Sequence, residues 1–195
     1  MADVLHFDLD KVMGLFLNVF WEKGFKSTTT KELAKAAGIS EGSLFHSFKS
    51  KREIYIQSLN WYSESGKALA ERMESNESAL EGIRDYWDSA AKMAIDPDRT
   101  NGCFITNASV EVSKDPEIAE FLKSEHLRYD NQFKAMLDRA VAQGEISADA
   151  DTLALAQFLS NGLQGLRLLA RMNPSEQKVR NVLEVTMSAL YHYKV

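Results

Sequence analysis

The chain has one cysteine, three prolines and four histidines in 195 residues, and each scarcity removes a class of protein. A lone cysteine, Cys103, cannot close an intrachain disulfide, and Cys-rich zinc folds are excluded with it. The prolines, Pro97, Pro116 and Pro174, leave the first 96 residues without a helix breaker. The histidines, His6, His46, His126 and His192, lie far apart. No H-E-x-x-H, no Glu-x-x-His pair for a di-iron bundle and no Gly-rich phosphate loop is present, so no enzymatic role, cofactor or metal is expected. Long apolar runs are missing too. The longest, Val12–Leu17, is far short of the ~18 residues of a membrane helix. The opening MADVLHFDLD has no basic region leading into an apolar stretch, so no secretory leader is expected, and the expected setting is the cytoplasm.

What is there reads as a globular, helical protein. Apolar residues make up 45% and charged residues 26%, and a chain this long can bury roughly 70% of its unfolded surface. The net charge is −5, but Lys23–Arg52 carries seven cations against Glu32 and Glu41. That leaves a local +5 on a body of −10, which suits contact with a polyanion at one end. Val12, Met13, Phe16, Leu17, Phe20 and Trp21 recur at helical spacing and Gly24 ends the run. Thr29 with Glu32 and Ser50 with Glu53 are capping boxes. They open a short helix over Thr30–Ala36 and a long one reaching Met73. Between them Ser40 caps Glu41–Phe48. Further helices are predicted over Glu77–Ile95, Cys103–Val112, Pro116–Ala142, Asp149–Met172 and Pro174–Tyr193. Asp115-Pro116 and Asn173-Pro174 serve as start signals. The fold class is all-α with about nine helices.

Two short helices joined by the Ala37-Gly38-Ile39 turn have the form of a helix-turn-helix. In Glu41–Phe48, Leu44 and Phe48 share one face and should pack on Leu33, Ala34 and Ile39. At 100° per residue, Gly42 and His46 then point away from the core. Ser43 sits on one shoulder. A small Gly/Ser surface with one imidazole suits a helix entering a major groove end-first.

Phe20-Trp21-Glu22-Lys23-Gly24-Phe25, Thr28-Thr29, Glu32-Leu33-Ala34, Ala37-Gly38-Ile39-Ser40, Gly42 to Phe48 and Lys51-Arg52-Glu53 together resemble the TetR-type one-component transcriptional regulators. The order and spacing agree over about fifty residues. The resemblance implies a three-helix DNA-binding domain over 1–50 and a ligand-binding and dimerisation domain over 51–195. It implies a homodimer on a double-stranded operator, acting most often as a repressor released by a small-molecule effector. It places Lys31, Glu41, Gly42, Ser43 and His46 towards bases, and Thr29, Phe45, Ser47 and Lys51 towards phosphates. The Phe45 position is commonly tyrosine in such proteins, so one phosphate bond is forfeited here. A helical interaction protein with a degenerate helix-turn-helix is the alternative.

In the body, Trp61, Trp87, Cys103, Phe104, Phe121, His126 and Tyr129 are candidate effector contacts, although a helical bundle needs such side chains for its core in any case. Cys103 stands at a predicted helix N-terminus, where free N–H groups favour a thiolate. Gly102-Cys103-Phe104-Ile105-Thr106-Asn107 resembles a segment of a TetR subset that includes electrophile- and oxidant-sensing repressors. Its other reading is a buried, inert thiol. His126 and Asp130, four apart, make only a pair. The apolar faces of the last two predicted helices, around Leu153, Phe158, Leu166, Val182 and Leu190, are expected to form an intersubunit bundle.

Overall fold

The computed structural model describes residues 9–194; His6 and most of the acidic N-terminal segment lie outside them. Ten α-helices account for about three quarters of the described chain. α1 (Leu9–Lys23) buries Val12, Met13, Phe16, Leu17 and Phe20. It stops at Gly24, whose φ of +81° only glycine adopts without strain. α2 (Thr30–Ala37) starts in the Thr29–Glu32 capping box and ends on the left-handed Gly38. α3 (Glu41–Ser47) is capped by Ser40, whose hydroxyl accepts from Ser43 N. Seven residues are too few for an independent helix. Buried Leu44 and Phe48 hold α3 against Leu33 and Ala34 of α2, and burial of each of the two large side chains is worth roughly 1.5–3 kcal/mol.

The long helix expected from Ser50 to Met73 is two helices, α4 (Lys51–Ser65) and α5 (Lys67–Glu74). The break falls in Ser63-Glu64-Ser65-Gly66, where serine and glycine favour the helix weakly. Gly66 N bonds to Ser63 O at 3.1 Å, a tightened turn that redirects the chain. α6 (Ala79–Ala94) follows, then a 3₁₀ turn at Pro97–Arg99, α7 (Phe104–Glu111) and the 27-residue α8 (Pro116–Ala142). Asp115 caps α8 with proline in its first turn, as expected. α9 (Thr152–Leu169) runs into a 3₁₀ turn, and α10 (Glu176–Tyr191) ends in an isolated bridge between Ile146 and Lys194. Asn173-Pro174 does not start α10. Asn173 has φ +47° and closes the preceding turn, and the cap is Ser175.

Two buried clusters organise these elements. One joins α5, α6, the second half of α8, α9 and α10 around Trp87 and Phe133. The other joins α1–α4 to α7 and the start of α8, so the packing around the first helices continues past residue 50 into Phe104, Ile105, Ala108 and Ile118. Leu159, Leu163, Leu166, Val179, Leu183, Met187 and Leu190 are buried within the chain itself. The apolar surplus expected on the last two helices is therefore narrower than their composition suggests. No helix of the described residues is long and apolar enough to cross a membrane.

Candidate functional site

The α2–α3 surface presents its small, polar face as the helical wheel requires. Gly42, His46 and Ser47 are exposed, Ser43 is half-buried, and Phe45 is 49% exposed. Lys26, Lys31, Lys35 and Lys49 are exposed around them, and among the described residues none of the four is in an ion pair. Several neighbours are already occupied. Thr29 donates its hydroxyl to Glu32 Oε2 at 2.9 Å and accepts from Glu32 N. Glu41 accepts from Thr30 Oγ1 at 3.0 Å, tying the start of α3 to the start of α2. Lys23 bonds Glu32 at 2.6 Å, and this contact with the Thr29 donors pulls the Glu32 carboxyl down to about 2. Lys51 is the departure from expectation. Its Nζ donates to the carbonyls of Phe25 and Thr28, each at 2.8 Å, and lies 4.5 Å from the Phe25 ring centre. It pins the α1–α2 loop, and its ammonium is turned inward.

A second site is a cavity of about 250 Å³ in the body. Trp21 reaches it from α1, Tyr62 from α4, Tyr86 from α6, Cys103 from the start of α7, Tyr129 from α8 and Arg167 from α9. Of the candidate effector contacts, only Cys103 and Tyr129 line it. Trp61 instead donates to Asp10 at 3.2 Å, joining α4 to α1. Trp87 is wholly buried against Gly162, where a Cβ would come within 3.1 Å of the indole. Phe104 sits in an aromatic cluster with Trp21, Tyr55 and Tyr62, and Phe121 packs on the core around α1. His126 pairs with Ser109 Oγ at 3.3 Å while Asp130 turns to Ser160, so the two do not act together.

Arg167, Tyr62, Tyr86 and Trp21 are the lining groups that sequence reasoning missed. Arg167 carried a signal, being a charge embedded in the apolar run Leu166 to Ala170. Its Nη2 donates to Tyr86 Oη at 3.2 Å and its guanidinium lies 4.6 Å from the Tyr129 ring centre. Nη1 is buried without a hydrogen-bond partner. Cys103 feels this charge. Burial opposes its ionisation, but the Arg167 guanidinium, with hydrogen bonds from Thr106 and Tyr62, outweighs burial and holds the thiol below its ordinary value.

Comparison with known proteins bears on both sites. Residues 17–57 match the model of bacterial regulatory proteins of the tetR family. Residues 79–186, more than half of the chain, match the tetracyclin repressor-like C-terminal domain. The chain belongs to the TetR family. It is thus a DNA-binding transcription regulator of the helix-turn-helix type. Among similar proteins, the transcriptional regulator YezE of Bacillus subtilis is 29% identical over 94% of this chain and 96% of its own length. The repressor ComR of Escherichia coli is 28% identical over 93% of this chain and 88% of its own length. A cysteine-substituted CifR solved with 26-base-pair operator DNA superimposes with a TM-score of 0.85 at 24% identity, over 94% of this chain and 97% of that one. The reduced form of Escherichia coli NemR gives 0.82 at 21%, over 92% and 95%.

In this TetR-family chain the two sites are bonded to one another. The cavity residue Trp21 belongs to α1 and donates its indole N–H to Asn101 O at 3.0 Å, two residues before Cys103. At the other end of α7, Glu111 accepts from Phe25 N at 3.0 Å and Lys26 N at 2.8 Å, holding the loop that leads into α2. Arg52 of α4 bonds the α8 cap, Asp115, at 2.6 Å. α7 and the start of α8 thus hold the segments on which α2 and α3 are mounted.

Proposed function

We propose that α3 enters the major groove and that the chain acts as a homodimeric repressor released from its operator by a small effector in the body cavity. The observation that carries this reading is the exposed Gly42–Ser43–His46 face of α3 among unpaired lysines, on a helix whose opposite face is locked into the core. Gly42 and Ser43 allow close approach, His46 meets base edges, and Lys31 with Ser47 serve phosphates. Thr29 and Glu41 shape the interface through the bonds they make to α2, and Phe45 offers an apolar contact. Residues 1–50 carry DNA recognition and residues 51–195 the effector and dimer functions, in the cytoplasm where the operator is.

A dimer is supported by a stripe along α9 and the 3₁₀ turn that follows it. Ala154, Phe158, Asn161, Gly165, Leu168 and Met172 alternate at spacings of four and three, and all are exposed. A Cβ at Gly165 would meet nothing within 4 Å. Such a seam fits a helix of a second subunit, and two α3 helices would then read half-sites about one helical turn, roughly 34 Å, apart. Cys103 supports a second reading, a sensor of electrophiles, because its thiol faces the cavity beside Arg167.

Footprinting on the DNA upstream of its own gene tests the main reading. Two symmetric protected half-sites on one face of the duplex are expected. Absence of any sequence-selective protection would leave the chain as a helical interaction protein.

A further inference from the structure

We propose that the cavity is an organic-anion site in which Arg167 takes a carboxylate; this rests on the effector reading above. Arg167 is a cation set within the body, its guanidinium 4.6 Å from the Tyr129 ring centre and its Nη2 donating to Tyr86 Oη. Arg167 lines the cavity, and its Nη1 is buried without an acceptor. A guanidinium edge in that state lacks the partner that buried cations require. The lining supplies none: no Asp or Glu is among its residues. The other cation there, Arg99, is already offset by Asp96 at 3.4 Å. Planar bidentate pairing makes a carboxylate the matching acceptor. Trp21, Tyr62 and Met93 enclose an apolar body beside it. About 250 Å³ accommodates a molecule of on the order of ten non-hydrogen atoms. The effector class is therefore a small aromatic or branched aliphatic monocarboxylate. The Arg167 charge favours ionisation of the Cys103 thiol, so a bound carboxylate that neutralises the guanidinium leaves the thiol less ionised.

Calorimetric titration of the full-length protein with phenylacetate and with phenylacetamide tests this. The acid is expected to bind roughly 10- to 100-fold tighter, the worth of a charge-assisted hydrogen bond. Arg167→Gln should abolish that preference while amide affinity stays, and Arg167→Lys, which keeps the charge, should retain part of it. Phenylacetate, not the amide, should also slow iodoacetamide alkylation of Cys103. Equal affinities, or a preference that survives in Arg167→Gln, overturn the anion site. If the amide binds and Met93→Trp at the cavity wall blocks it, the effector cavity stands even when the anion claim falls. Binding of neither compound overturns the anion site, and if operator affinity is also unmoved by cavity-filling Met93→Trp, the effector reading falls with it.

Discussion

Cys103 and Glu32 each have an ionisation set by identifiable neighbours. The Cys103 thiol is buried, which alone would push it up, yet the Arg167 guanidinium and the Thr106 and Tyr62 hydrogen bonds bring it down. Its alkylation rate should therefore reach half-maximum below the free-thiol value of about 8.5, and Arg167→Gln should move the midpoint upward. Mass spectrometry of iodoacetamide-treated protein across pH measures both; an unmoved midpoint would remove Arg167 as the cause. For Glu32 the folded-state value, about 2, lies below the unfolded carboxylate value of about 4.3. Its stabilising effect is present above the unfolded value and disappears as pH falls towards 2, so Glu32→Gln should lose stability at neutral pH and approach wild type in acid. Thermal melts at several pH values check it. The Thr29–Glu32 capping box was legible because its partners are three residues apart. Arg167 against Cys103 was not, because the contact joins helices far apart in the chain, and the inward turn of Lys51 depends on where the Phe25 and Thr28 carbonyls fall.

Helix α7 is short, but it spans the distance between the cavity and the loop that leads into α2. Cys103 caps one end and Glu111 holds two backbone N–H groups from the other. Gly24 makes the clasp feasible: a Cβ there would lie 2.8 Å from a Glu111 carboxylate oxygen. Glu111→Ala should cost about 1–3 kcal/mol by orphaning the part-buried Phe25 N–H, visible as a lower melting temperature and weaker operator binding. An unchanged melting temperature would mean that the clasp does not hold the loop. Helix positions in the sequence followed from caps and periodicity, which are local. The α4–α5 break at Gly66 escaped that reading because the apolar pattern runs on through it, from Leu59 to Met73. Asn173-Pro174 misled for the opposite reason: its local start signal gave way to a left-handed turn that lets α10 fold back beside α6 and α9.

On the proposed reading, the whole molecule couples an interface for a second copy, a cavity and a DNA-facing surface. Leu166 is 1% exposed, so a charge there would disrupt the subunit itself and would not probe assembly. Phe158, 47% exposed on the α9 stripe, is the clean position. Phe158→Glu should give a folded monomer by sedimentation with operator affinity lost, because the paired half-site geometry disappears; a persistent dimer would move the interface elsewhere. Composition showed the basic segment on an acidic body; Lys26, Lys31, Lys35 and Lys49 of it are exposed, while Lys23 and Lys51 are engaged within the chain. Which apolar residues of α9 face outward became clear only once the chain's own core was packed. The central claim is that the α2–α3 surface reads DNA. The most direct measurement is operator affinity against salt for wild type, His46→Ala and Lys31→Ala. Lys31→Ala should weaken all duplexes alike and lower the salt slope by roughly one unit per half-site. His46→Ala should keep the slope and relax preference among operator sequences. Wild-type affinity, slope and preference in both variants would contradict the account.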